Sequence, residues 1–316
     1  MEGIKPIHIT VQSLTQPLSQ KPSVHVQLTS LVNRSVEADV SLTLPEGWEG
    51  ESKSEPLSLN PGEIKNISFK IQKATSHDTN QYVVKATVRG GKEEITKTQI
   101  IQVACARKVT PVINGSLSDW RKSIPVTIDS LSYQKTENWA RYLLNPNLKL
   151  PPPPQGKRIM AKIYTGYDKN NFYLAASVEE PSFSQKASVG PDDYSMLWDG
   201  GDAIQIAFGL DKPTPWGFPY QPRRGIFADT HYNYILALTK DGPMVVRLHS
   251  PKTPLRTFYP QNDDYKYFSP VKGAKLVVKR DEENQVTTYE CSIPLIELKE
   301  LQPFPGGTIS FCLCHS

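Results

Sequence analysis

From Val24 onward, apolar side chains return at every second position: Val24, Val26 and Leu28 alternate with His25 and Gln27. A period of two puts one set of residues on each face of an extended strand, whereas a helix repeats its faces every 3.6 residues. The pattern recurs in Val40, Leu42 and Leu44, in Ile67, Phe69 and Ile71, and in Tyr82, Val84, Ala86 and Val88. Between these runs stand PEGWEG, LNPGE, SHDTN and RGGKE, whose Gly, Pro, Asn and Asp residues suit tight turns. Short strands at this spacing, in about a hundred residues, describe an antiparallel β-sandwich of immunoglobulin type. Residues 1–104 contain no cysteine pair, so apolar packing alone must hold that sandwich.

After CARKVTPVINGSLSDW a second set of alternating runs begins, at 159–165, 172–178, 203–208, 232–238, 244–248, 276–279 and 286–293. GYDKNNFY reads as a tight turn between two of them, with Asp168, Asn170 and Asn171 suited to its backbone angles. Residues 134–158, with Pro151 to Pro154 consecutive, and the aromatic stretch DKPTPWGFPYQPRRG at 211–225 break the rhythm and read as surface loops. The expectation is an all-β chain of two antiparallel sandwiches: residues 1–104 as an Ig-like spacer and 105–316 as a second domain.

Composition narrows the function classes. Hydrophobic residues at 38% and charged residues at 22% fit a globular chain rather than a disordered one. The net charge of +4 is spread without a dense Lys/Arg block, which disfavours nucleic acid as a partner. No apolar run approaches the roughly 18 residues of a membrane-spanning helix. Cys312 and Cys314 share a strand face, an arrangement that suits neither a redox CxxC nor a zinc knuckle, and the four cysteines read as small buried thiols. MEGIKPIHITVQSL lacks the apolar core of a secretory signal. The last residues, GTISFCLCHS, stop within an alternating strand, so the chain is expected to be a fragment of a longer protein, its second sandwich missing C-terminal strands.

Two resemblances add to this reading. LPEGWEGESKSEPLSLNPGEIKNISFKI, within residues 5–104, resembles the Ig-like accessory domain found beside α-galactosidases and other carbohydrate-active enzymes, and Trp48 in it reads as a plug over the end of the sandwich. TPVINGSLSDW, AKIYTGYDKNNFYLAASVEEP, LWDGGDAIQIAFG, YECSIPLIEL and GTISF, in that order over 106–316, resemble family 9 carbohydrate-binding modules, whose sandwich is related to the DOMON domains. That resemblance implies a jelly-roll or DOMON-like fold and a polysaccharide or oligosaccharide ligand. It also implies a location outside the cell or on its surface, and an attached catalytic domain, a glycoside hydrolase, beyond this chain.

In that family a tryptophan just before the acidic turn forms one wall of a slot for a sugar ring, and Trp198 holds the matching position. An indole offers a broad flat face to the axial C–H groups of a pyranose, and its rigidity limits the entropy lost on stacking. The competing reading makes Trp198 a plug at the sandwich rim. On the strand that follows, Ile204, Ile206 and Phe208 share one face, while Ala203, Gln205 and Ala207 share the other. Gln205, with space above its flanking alanines, can both donate to and accept from a hydroxyl. His231 and Asn233 fall on one face of DTHYNYILAL, and the resemblance places them at the same site, although the family often has Gln and Arg there. Asp202 is assigned as turn support for Trp198. The second wall lies beyond residue 316 in the family, and Trp216, with Phe218 and Tyr220, is the substitute this chain offers.

No cofactor is required by this reading. Family members often hold structural calcium, and Asp119, Asp192, Asp193, Asp199 and Asp202 are carboxylates of the right type, but no dense Asp-x-Asp-x-Asp loop is present and no metal is assigned. The chain also lacks GxSxG, HExxH and P-loop motifs, and no carboxylate pair is marked out for glycoside hydrolysis. Two rivals remain. A DOMON-like sandwich can hold haem b between Met and His or Lys, for which Met160, Met196, Met244, His231 and His249 are available, and a purely structural surface or adhesion module needs no site.

Replacing Trp198 with Ala should weaken glycan binding by about 2 kcal/mol or more, as loss of a central aromatic contact does. Calorimetry in a chain extended past Ser316 measures this. Unchanged binding with a melting temperature many degrees lower would make Trp198 a structural plug.

Overall fold

The computed structural model describes residues 5–90, 93–129, 159–186, 197, 201–210, 231–251, 268–299 and 307–315. Within these the chain is all-β, apart from short 3-10 turns, and forms two compact units. The first comprises Met1–Cys105 with Ile124–Thr127, and the second comprises Ala106–Ser123 with Ile128–Ser316. The sequence placed a single break at 104/105. The stretch Ile124–Thr127 has no periodic signal that would assign it to the first unit.

The first unit contains β1 (Ile7–Val11), β2 (Ser23–Ser30), β3 (Val36–Thr43), β4 (Glu49–Gly50), β5 (Leu57–Leu59), β6 (Ile64–Lys73), β7 (Tyr82–Gly90) and β8 (Glu93–Ile101). Two four-stranded sheets result, in the orders β1-β2-β6-β4 and β5-β3-β7-β8. Every second residue of β2 is buried, as its alternation requires. Val24, Val26, Leu28, Phe69 and Ile71 of one sheet meet Val40, Leu42, Val84, Ala86 and Val88 of the other in one core. Each such side chain contributes about 1.5–3 kcal/mol by burial, which is how the sandwich holds without a disulfide.

Side-chain amides finish this unit. Gln99 of β8 donates to Val11 O and accepts from Val11 N, standing in for a ladder partner beside β1. Leu14 pairs with the chain after β8, so this edge is not left open to a foreign strand. Buried Asn80 joins Val103 and Pro125, and Gln102 bonds both backbone groups of Thr127, at 2.7 Å each. These bonds hold Ile124–Thr127. Trp48 is buried, its indole N–H donating to Thr75 O at 3.0 Å and its ring 4.8 Å from Tyr82, which is the arrangement of a plug.

The second unit contains β9 (Arg107–Lys108), the last two residues of β10 (Val126–Asp129), whose first two belong to the first unit, and β11 (Ile159–Tyr167), β12 (Asn171–Glu179), β13 (Ala203–Leu210), β14 (Tyr232–Thr239), β15 (Gly242–His249), β16 (Ser269–Pro270), β17 (Lys275–Asp281), β18 (Val286–Pro294) and β19 (Ile309–His315). One sheet has the order β10-β11-β12-β18-β17, with β9 parallel to β11, and the other has β16-β15-β14-β13-β19. They enclose one core. Phe172, Leu174, Ala176, Tyr289 and Cys291 face Ile204, Ile206, Phe208, Tyr234 and Leu236, with Phe172 edge-on to Phe208 at 5.0 Å. The sandwich class expected from the alternation is therefore the one observed.

The far face of the first of these sheets is sealed by Trp120, which packs with Tyr173 and Ala175. Its indole N–H donates to Glu290 Oε1 at 2.9 Å, and Glu290 Oε2 accepts from the amides of Asn114 and Gly115 at 2.8 Å each. Glu290 is fully buried. Glu290→Gln puts an NH2 group against one of these N–H donors and should cost about 2–3 kcal/mol, the scale of hydrogen bonds to a charged group. Urea unfolding of the chain, with the exposed Glu93→Gln as control, measures it; equal midpoints would refute the assignment.

Candidate functional site

The second sheet of this unit, β16-β15-β14-β13-β19, has its own far face, and the residues selected from the sequence meet there. Ile204, Ile206 and Phe208 of β13, with Tyr232, Tyr234 and Leu236 of β14, point into the sandwich. By alternation Ala203, Gln205 and Ala207, with Asn233, Ile235 and Ala237, point away. The register pairs Ala207 with Asn233 and Asn233 with His249 of β15, a row across three strands. A β-bulge at Asn233/Tyr234 adds a residue to β15 at this row, so both Leu248 and His249 are buried beside it.

Gln205 Nε2 donates to Asn233 Oδ1 at 3.0 Å. Gln205 is half-buried, whereas Asn233 has 0% exposure and its Nδ2 has no hydrogen-bond partner among the described residues. His249 is 2% exposed and His231 half-buried. Partial burial lowers the His231 pKa below the ordinary imidazole value. Leu197 and Phe268 lie in the apolar cluster that Ala203, Ile235, Ala237, Val246 and Leu248 form on this face. Much of the face is therefore covered, with Gln205 and Ala207 as its half-exposed part.

Trp198 and Trp216 lie outside the described residues, as do Asp192, Asp193 and Asp199. Asp202 is described, and its contacts specify its role. Its carboxylate accepts from Ser184 N and its own N–H donates to Ser184 O at 2.8 Å. It braces a strap, Ser184–Lys186, that also bridges to Thr239 and sends the Gln185 amide to Thr239 O at 2.6 Å. Gly201, at φ 120°, lets this strap pass: a Cβ there would stand 2.6 Å from Ser184 O. Neither the strap nor the bulge that brings His249 to the row has a periodic signal. The Trp120–Glu290 bond spans 170 positions and leaves none either.

Asp119, a calcium candidate by type, spends its carboxylate on Val112 N at 3.0 Å. Asp168 holds its own turn, accepting from Asn170 N, Asn171 N, Thr110 and Tyr173. Among the described residues no group of three or more His, Cys, Asp or Glu side chains could hold a metal ion. Haem would need a ligand on each side of its iron. Met244 and His249 project from the same side of one strand, Met160 lies on the far face of the other sheet, and Met196 lies outside the described residues.

The chain matches no family model and no curated protein. Among solved structures it is similar to a FixG-related protein from Vibrio parahaemolyticus, at 12% identity and a TM-score of 0.24, covering 32% of this chain and 98% of that one. It is also similar to the YadV chaperone, at 10% identity and a TM-score of 0.25, covering 77% of this chain and 100% of that one. Scores this low carry no argument about function. No helix among the described residues is long and apolar enough to cross a membrane.

The depressed His231 pKa fixes a sign. The folded state binds the imidazole proton less readily than the unfolded chain, so stability is full above the ordinary value of 6.5 and falls as pH drops below it. His231→Gln should flatten the stability–pH curve just below that value, read as melting temperature against pH. An unchanged slope would assign the loss to other groups.

Proposed function

We propose that the second unit is a non-catalytic sugar-binding module, and that the far face of β13 and β14 reads the hydroxyls of its ligand. One observation carries this reading: a fully buried carboxamide, Asn233, whose Nδ2 lacks an acceptor. An unsatisfied buried donor costs about 1–3 kcal/mol, so its retention calls for an explanation. A sugar ring entering over Ala207 and Gln205 would meet the Gln205 amide first and the Asn233 donor behind it. A hydroxyl oxygen supplies the missing acceptor, and its proton can go to Gln205 Oε1. The small, half-exposed side chain of Ala207 beside Gln205 leaves room for the edge of a ring. Trp198 is the stacking wall in this proposal, Asp202 braces the Ser184–Lys186 strap, and His231 lies at the margin. An attached glycoside hydrolase and a location outside the cell belong to the same proposal and rest on the sequence resemblance.

Asn233→Leu keeps the side-chain volume and removes the orphan donor. It should leave the melting temperature unchanged or higher, while affinity for soluble glucan or xylan oligosaccharides falls more than tenfold by calorimetry. Wild-type affinity in the variant overturns the proposal, as does a parent chain that binds no oligosaccharide of either type. A Soret band in the purified protein would favour haem instead.

A further inference from the structure

The seal over the far face of β12 and β18 rests on a chemically labile step. Asn114–Gly115 is the chain's one Asn–Gly pair. In such a pair the second residue's amide nitrogen can attack the carboxamide of the first, because glycine puts no Cβ in the way. Asn114 is exposed, so water reaches that carboxamide. The turn itself calls for glycine: Gly115 has φ 75°, and a Cβ there would stand 2.8 Å from Lys279 Cδ. Yet the closed structure engages both reacting groups. Gly115 N, the attacking atom, donates to Glu290 Oε2 at 2.8 Å, and Asn114 N shares that acceptor at 2.8 Å. The Asn114 carboxamide accepts from Ser116 N through its Oδ1, also at 2.8 Å. Attack further requires Gly115 N to lose its proton, and the buried Glu290 carboxylate opposes a second negative charge beside it.

We propose that Asn114 is a deamidation site gated by Glu290, which reacts when Ala106–Ser123 lifts from the sheet and not while that segment is seated. On release, Gly115 N gives its proton to solvent and bonds to Asn114 Cγ. The bond from Cγ to the side-chain nitrogen breaks, and that NH2 group takes a proton from solvent and leaves as ammonia. Water then opens the cyclic imide at either carbonyl, which restores the Gly115 N–H and leaves aspartate or isoaspartate at 114. Isoaspartate cannot rebuild the seal. Its main chain runs through the side-chain carbons, which adds one CH2 between the two N–H groups that converge on Glu290 Oε2. The buried carboxylate is then short of a donor, a costly state for a charge out of water. The change is one-way, so the modified fraction records how often the seal has opened.

The test is incubation of the full chain at neutral pH without glycan, so its outcome is independent of sugar binding. Peptide mapping of residues 109–121 reads the mass gain from amide to acid, and isoaspartate is assayed alongside. A synthetic peptide of the same residues supplies the unrestrained rate. The folded chain should react about tenfold more slowly, since a hydrogen bond to a charged group must first be given up. Glu290→Gln should recover most of that factor. Leu236→Ala loosens the core of the same unit without touching Glu290, and should stay near the wild-type rate. If Glu290→Gln does not fold, the comparison of folded wild type with peptide decides. Equal rates in the folded chain and the peptide overturn the proposal, as does a wild-type rate in Glu290→Gln. Equal acceleration by Glu290→Gln and Leu236→Ala overturns it too, because global unfolding would then be the gate.

Discussion

A buried carboxylate with three N–H donors organises the second unit. Glu290 cannot keep a charge out of water unless each oxygen is matched, and Trp120 Nε1, Asn114 N and Gly115 N do the matching. The requirement draws Ala106–Ser123 across the far face of its sheet. It also fixes the local backbone: Gly115 adopts φ 75°, and a Cβ on Gly166 would stand 2.5 Å from Val109 and 3.3 Å from Trp120. With Trp120 fully buried against Tyr173 and Ala175, that face is committed to stability.

The two outer faces of this sandwich thus have opposite polar economies. On one, a full charge is completely satisfied. On the other, a neutral amide, Asn233, is buried with half of its hydrogen-bonding capacity unused. Natural cores leave few such groups, and those that remain tend to mark places where a local rule was relaxed for function. The contrast within one unit, rather than a likeness to any known protein, directs attention to β13 and β14. The Ser184–Lys186 strap beside them is tied by backbone bonds to Leu238 and Lys240 and by the Asp202 carboxylate, with the Lys186 side chain fully buried.

Alternation along single strands fixed, from the sequence alone, which residues face the sandwich interiors: Val24, Val26 and Leu28, then Ile204, Ile206 and Phe208, lie where a period of two puts them. The same rule placed Gln205 and Asn233 on the opposite face, because side-chain direction in a strand is a local property. Tertiary structure decided everything that depends on partners distant in sequence. Glu290 looked like any strand carboxylate until Trp120 was brought to it across the fold. Asp202, read as support for the neighbouring turn, also binds Ser184, since a hydrogen bond follows proximity in space and not in sequence. His249 entered the Asn233 row through a bulge that shifts register, and Asn233 became an orphan donor only once strands on either side had closed over it. Local periodicity is written residue by residue, while burial and hydrogen-bond satisfaction exist only when the sheets are assembled.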